Sequence, residues 1–254
     1  MIVKEKVAES GHWYTADGEP AYTVEGKTGV RNTTLRDARK LGLLPSVTTI
    51  IGQMSKAGLD NWKQQQVLLS ALTLPRQDGE AEADWLARVM KDSRETGRQA
   101  ADRGTAIHGI IQSFYEGVLA DFPPYVRKVE KDINDYFGSQ LWVSERSFAH
   151  DDGFGGKVDL SSRSDAVKGW DGAVIDFKTK ETALDKVDVY FEHQMQLAAY
   201  RQGLGMPHAR CAIVFVNGTS NETKLIEVEE EELQKGWECY WHLLKLYQIK
   251  NNLK

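Results

Sequence analysis

Hydrophobic and polar positions along this chain repeat with two different periods, and the changes of period locate its elements. Between Gly155 and Lys180 two short strands are predicted, joined by a polar, glycine-containing loop. Lys157–Ser162 alternates, and Ala173–Thr179 is a tight apolar run that ends in charge. On a strand, Asp176 and Lys178 project to one face while Ile175 and Phe177 project to the other. Leu141–Phe148 reads as an earlier core strand with Leu141, Val143 and Glu145 on one face, and the glycine-rich turn Asp151–Gly156 makes a hairpin of it. Downstream, a helix over about 190–203 ends at Gly205 and Pro207. Strands over 211–216 and 224–228 follow. The terminal helix carries Leu233, Trp237, Tyr240, Trp241, Leu244 and Tyr247 at helical spacing, a core-packing stripe.

The N-terminal third is patterned differently. A hairpin is predicted within 10–30, from His12–Thr15 through a turn at Ala16–Pro20 to Ala21–Val24. The small hydroxyls in Leu44–Ile51 mark a helix start. Helices are predicted around 58–72 and 80–91, separated by Leu74-Pro75. A longer helix over about 93–117 carries Ala100, Ile107, Ile111, Phe114 and Val118 as a buried stripe. The expected division is a hairpin and helical subdomain at 1–92 and a core with its C-terminal helix at 93–254. Strand–helix alternation makes the fold class α/β, a mixed central β-sheet flanked by helices with a helical N-terminal portion.

With 254 residues the chain can bury a sizeable core, and 41% hydrophobic with 27% charged residues is the composition of a soluble globular protein. No apolar run approaches the ~20 residues of a membrane span, and the N-terminus lacks a signal-peptide apolar region. Two cysteines make a disulfide framework unexpected, so a cytoplasmic location is the default. A net charge of -5 argues against a general phosphate-binding surface. Basic residues nevertheless outnumber acidic ones between Arg31 and Arg103, and the stretch with Arg31, Arg36, Arg39 and Lys40 either touches a phosphate backbone or is a solvated face. There is no repeat, no CxxC and no GxxxxGK[ST] loop, so no ATPase domain is expected.

Chemistry enters through charges in apolar settings. An acid and a lysine at the end of an apolar strand must be paired to be tolerated. Asp159, on the neighbouring strand, offers a second carboxylate. Two converging carboxylates repel unless a cation lies between them, and hard oxygen ligands suit Mg²⁺ or Mn²⁺. His108, one turn beyond Gly104, is either hydrogen-bonded at the core edge or a ligand. Ser46 and Thr48 either cap a helix or donate to a phosphate. Gln196 and Tyr200 stand four apart and share a helix face. Glu145 is either an outer-shell partner of the carboxylates or a solvated strand residue.

Taken in order, Pro45-Ser46-Val47-Thr48, Gly104-Thr105-Ala106-Ile107-His108, Gly156-Lys157-Val158-Asp159-Leu160, Asp176-Phe177-Lys178 and Gln196-Leu197-Ala198-Ala199-Tyr200 resemble the motifs of the PD-(D/E)XK nuclease superfamily, RecB-like exonuclease branch. They are similar to those of phage and mitochondrial genome maintenance exonucleases and span residues 45–200. Val158 stands where Pro is usual and Asp176 where Glu is. The resemblance implies a restriction-endonuclease-like core and a Mg²⁺- or Mn²⁺-dependent DNA exonuclease of recombination, repair or replication in a phage or bacterial setting. It implies that Asp159, Asp176 and Lys178 are catalytic, and that His108, Asp159, Asp176 and the Phe177 carbonyl hold one or two ions. Gln196, Tyr200, Ser46 and Thr48 would then contact nucleic acid, and cleavage would leave 5′-phosphorylated ends. DNA with a free end is the implied partner, with a single-strand-annealing or recombinase protein beside it and no membrane. Two cysteines are too few for the four-Cys iron–sulfur cluster of some relatives. An endonuclease of the same fold, or a catalytically silent DNA-binding accessory protein, are the alternatives. No oligomer interface is readable.

Overall fold

The computed structural model describes residues 11–118, 121–162 and 172–253. In chain order it contains β1 (Trp13–Tyr14), β2 (Thr23–Gly26), β3 (Gly29–Asn32), α1 (Leu35–Leu41), β4 (Leu44–Pro45), α2 (Val47–Ile51), α3 (Ala57–Thr73), α4 (Glu82–Ser93), α5 (Glu95–Tyr115) and α6 (Pro124–Phe137). Then come β5 (Trp142–His150), β6 (Phe154–Ser162), β7 (Ala173–Thr179), α7 (Phe191–Gly203), β8 (Arg210–Asn217), β9 (Glu222–Val228) and α8 (Glu230–Asn251). The polar loop expected between β6 and β7 falls on 163–171, and the N-terminal stretch on 1–10; both lie outside the described residues.

The chain packs as two compact units. One joins the residues up to Gln53 with those from Ile110 onward, and the other is Met54–Gly109. The β1–α2 region thus belongs with the sheet, a different line from the 92/93 division expected from the pattern. In the second unit the predicted helices are α3, α4 and most of α5, with α3 packed on α4.

In the first unit a five-stranded sheet runs in the order β5-β6-β7-β8-β9. Neighbours are antiparallel except β7 and β8, which are parallel. A parallel neighbour requires a crossover, and α7 is that crossover. β7 and β8 are buried along most of their length, which explains why they read as apolar runs without alternation. Register shows which face each helix covers. Lys178 lies beside Phe215, and Phe215 beside Lys224, so these three side chains share a face with α7, where His193 meets the Phe215 ring at 6.5 Å. Thr223 and Glu227, on the other face of β9, take hydrogen bonds with Asp132 and Tyr136 of α6. The mixed sheet is therefore flanked by helices on both faces, the fold class expected from the sequence.

Three expectations need correction. The 10–30 hairpin is only partly formed: Tyr14 bridges to Pro20, but β1 pairs with Leu44–Pro45 of β4, and β2 pairs with β3. Trp13 and Tyr14 are buried, and the distant β4, tied to the sheet by the Ser46–Gly155 bridge, gives them a better-covered partner than a local turn does. The stripe expected on α5 is not buried as a whole. Only Ile111 is buried, Ala100 is exposed, and Val118 lies past the helix end at 68% exposure. Helical spacing decides which residues share a face, not whether another element covers it. The third correction is α6, which the sequence reading omitted. It opens on Pro124 at a first-turn position, buries Tyr125, Val126, Val129, Ile133 and Phe137 at three- and four-residue spacing, and ends at Gly138.

One ion pair fastens the crossover helix to the terminal helix. Arg201, 2% exposed, donates from Nη1 and Nη2 to the two carboxylate oxygens of Glu230 at 2.7 and 2.9 Å. Hydrogen bonding from Arg201 holds the Glu230 carboxyl below its usual pKa. Glu230→Gln breaks this fork and is expected to destabilise the fold by about 1–3 kcal/mol at pH 7. A depressed folded pKa means that the contribution is complete above the unfolded carboxyl pKa of about 4.3 and is lost as pH falls through the folded value. Urea midpoints of the parent and variant should therefore converge as pH falls from 7 to 3.

Candidate active site where two strands part

The β6–β7 ladder pairs Ser161 with Val174 and Leu160 with Ile175, and stops there. β7 itself continues to Thr179 in register with β8. The next residues on the parting strands are Asp159 and Asp176. Past the end of the ladder the Phe177 N–H has lost its β6 carbonyl, and a backbone donor inside a sheet must find another acceptor. Asp159 supplies it: its Oδ2 accepts from Phe177 N at 2.8 Å.

Asp176 is on the α7 face and only 2% exposed. Its Oδ2 faces Lys178 Nζ at 2.5 Å, and its Oδ1 accepts from Gln196 Nε2 at 2.8 Å. The same Gln196 nitrogen donates to Tyr200 Oη at 2.9 Å, and Gln196 Oε1 accepts from Lys178 Nζ at 3.2 Å. These partners fix the orientation of the carboxamide, since its nitrogen meets oxygens and its oxygen meets an ammonium. Gln196 and Tyr200 are 8% and 5% exposed, so their polar atoms act within the cluster and hold it. The i,i+4 spacing that put them on one face has become a clamp over the strand end.

Electrostatics follow from burial and proximity. Burial alone would lower the Lys178 pKa, but the Asp176 charge and hydrogen bond, with the Asp159 charge, together raise it above the usual lysine value. Lys178 is an ammonium. Burial, followed by the charges of Asp176 and Asp159, lifts Tyr200 well above the ordinary tyrosine value, so it is a neutral phenol. Both aspartates thus act on both Lys178 and Tyr200.

Two carboxylates brought together in a shielded place repel one another, the situation in which a cation between them is favourable. The donors are hard oxygens, which fit Mg²⁺ or Mn²⁺. Among the described residues no group of three or more His, Cys, Asp or Glu side chains is placed to hold a metal. An ion held here would have two carboxylates and, as the motif resemblance implies, the Phe177 backbone carbonyl as protein ligands, a count that suits Mg²⁺, which keeps water and substrate oxygens for its remaining positions.

His108 lies half-buried on α5 in the second compact unit. Ser46 is buried and caps α2, its Oγ accepting from Thr49 N at 3.0 Å and bonding the Thr48 and Thr49 hydroxyls. Thr48 is exposed. Glu145 is half-buried and ion-paired with Lys157, and the register sets it across from Asp159, between the Ser144–Leu160 and Arg146–Val158 pairs. Its φ of +52° is left-handed, costing on the order of 1–2 kcal/mol for a residue with a Cβ.

Residues that position the cluster without polar chemistry were not singled out from the sequence. Phe148 of β5 inserts its ring between β6 and α7, edge-on to Tyr200 at 6.2 Å. It fits because two glycines make room. A Cβ on Gly156 would sit 2.7 Å from the Phe148 ring, and one on Gly203 would sit 1.9 Å from it. Gly156 opens the Gly-x-x-Asp segment, so its place there has a packing reason. Gly203, at the end of a helix otherwise read for its polar residues, carried no sequence signal.

No family model matches this chain, and no curated protein matches it. Among solved structures it is similar to a protein of Eubacterium rectale provisionally described as an exonuclease, with 15% identity and a TM-score of 0.36 over 59% of this chain and 68% of that one. It is also similar to the protein SSO0001, with 13% identity and a TM-score of 0.29 over 75% of this chain and 88% of that one. Likenesses of this degree decide neither fold nor activity.

Gly203→Ala should push the buried Phe148 ring toward Tyr200 and cost about 1–3 kcal/mol, the usual penalty of overpacking. A lowered melting temperature checks it. An unchanged one would mean that Phe148 finds room elsewhere.

Proposed function

We propose that this chain is a Mg²⁺- or Mn²⁺-dependent deoxyribonuclease, acting as an exonuclease on DNA ends. The observation that carries this reading is the convergence of Asp159, Asp176 and Lys178 where β6 and β7 part, under the Gln196–Tyr200 clamp. A structural metal site has no use for a buried ammonium beside its carboxylates, whereas hydrolysis of a phosphodiester does. The preference for a free end rests on the motif resemblance to RecB-like exonucleases, as does the assignment of His108 as a further ligand.

Each residue then has a defined task. Asp159 and Asp176, with the Phe177 carbonyl, would hold the cation. When bound, that cation supplies Lewis-acid stabilisation of charge on the phosphate and acidifies water. Lys178 keeps its proton and offers a compact positive charge to the non-bridging oxygens as charge builds on them. Gln196 sets the distance between Lys178 and Asp176 by binding both, and Tyr200 fixes Gln196. Asp159, through the Phe177 N–H, locks the two strands at the separation the site requires. Preorganisation of this kind means that little reorganises as the reaction proceeds.

End-labelled single- and double-stranded DNA should be degraded with Mg²⁺ or Mn²⁺ and left intact with EDTA, and covalently closed circles should resist. Lys178→Ala should lower the rate by about 10³-fold while DNA binding and the circular dichroism spectrum persist. Cleavage by this variant at the parent's rate would overturn the assignment. Cutting of closed circles would make the protein an endonuclease.

A further inference from the structure

The strand that carries the candidate site does not end with it. Asp176, Lys178 and Lys180 share one face by alternation, and the Lys180 N–H continues the parallel ladder by donating to Val216 O at 3.0 Å. Lys180 therefore stands about 7 Å beyond Lys178 toward the open end of the sheet. α7 returns alongside β7, so its first residues lie at that same end. Tyr190, immediately before α7, is six residues ahead of Gln196, or about 9 Å along the helix axis. The two approaches meet: Lys180 Nζ lies 5.6 Å from the centre of the Tyr190 ring.

Tyr190 is 53% exposed, in contrast to the buried Tyr200 on the same helix. Its position is nonetheless built. The segment leading to it is pinned by Lys224 Nζ, which donates to the carbonyls of Asp185 and Val187 at 3.2 and 3.4 Å. It is pinned again by Asn217 Nδ2, which donates to Thr182 O at 3.2 Å, and by the buried Leu184. The Tyr190 N–H donates to His193 Nδ1 at 3.3 Å, and the two rings lie 5.4 Å apart. An exposed ring on a fixed backbone, backed by a cation, beside a cluster suited to phosphodiester hydrolysis, has the features of a base-stacking surface. The segment also carries Asp185, Asp188 and Glu192, so it is not a track for phosphates. Stacking is the interaction it can offer.

We propose that Tyr190, backed by Lys180, is the platform on which the nucleobase next to the scissile phosphate stacks. This rests on the nuclease reading above for the identity of the ligand.

The test uses the full chain and a short single-stranded oligonucleotide bearing 2-aminopurine at its end. In EDTA, where nothing is hydrolysed, the parent should quench the fluorophore, Tyr190→Phe should quench it equally, and Tyr190→Ala should not. With Mg²⁺, Tyr190→Ala should raise KM by about 5- to 100-fold, as expected for one stacked base, with kcat within about twofold of the parent. An oligonucleotide with an abasic site at that position should bind parent and Tyr190→Ala alike. Equal quenching by parent and Tyr190→Ala, or an equal penalty on the abasic oligonucleotide, overturns the platform. A parent that cleaves no DNA refutes the nuclease reading and leaves the quenching comparison to decide this one. Unchanged thermal unfolding of the variants excludes a folding artefact.

Discussion

A buried carboxylate on a strand is costly to desolvate, by several kcal/mol unless its oxygens are matched. Asp176 is in that position, and much of the first unit can be traced to the requirement that it be matched. Lys178 has to sit two residues on, because only an even offset returns to the same face. Gln196 has to come from a helix packed on that face, which makes α7 a crossover between parallel β7 and β8. Tyr200 has to follow one turn later to fix the amide that fixes the acid.

The parting of β6 and β7 is the second half of the same constraint. A ladder continued past Leu160–Ile175 would leave no opening at Asp176 and nothing for a substrate to reach. Ending it exposes the Phe177 N–H to a missing bond, and Asp159 satisfies it from its own side chain. The opening and its second carboxylate are thus one structural event. Removing the acid would affect the backbone as well as the charge. Behind it, Phe148 holds β5, β6 and α7 at a spacing that two glycines permit, so the polar cluster rests on an apolar one.

How much of this was legible in the sequence depended on the range of the interactions involved. The limits of β7, the shared face of Asp176 and Lys178, and the i,i+4 pair on α7 all follow from local periodicity, and the structure has each of them. The mixed sheet followed from the alternation of elements. The partner of Trp13 and Tyr14 did not, because it lies thirty residues away and local turn chemistry pointed elsewhere. The α5 stripe failed because periodicity carries no information about what covers a face. α6 had a readable stripe that was passed over, and Glu145 had no local signal for its positive φ. Phe148 and Gly203 were invisible for a different reason: their importance lies in a contact between β5 and α7, and neither residue type announces it.

Net charge remained the strongest argument against a nucleic-acid partner, and the structure changes its meaning. Arg31, Arg88, Arg98, Arg127, Arg201 and Arg210 each face a carboxylate. Paired arginines hold elements together and offer little to a phosphate backbone, so these six add little to any phosphate-binding surface. On the nuclease reading proposed above, a protein organised this way would bind its strand locally, through charge concentrated at the reacting phosphate and through ring faces beside it. Lys178 and Lys180 on one strand face, with Tyr190 across from the second, meet that requirement within a few residues of chain. On the same reading, binding of this kind would be short-ranged, and it would suit a site that meets the last nucleotides of a strand better than one that must grip a long duplex.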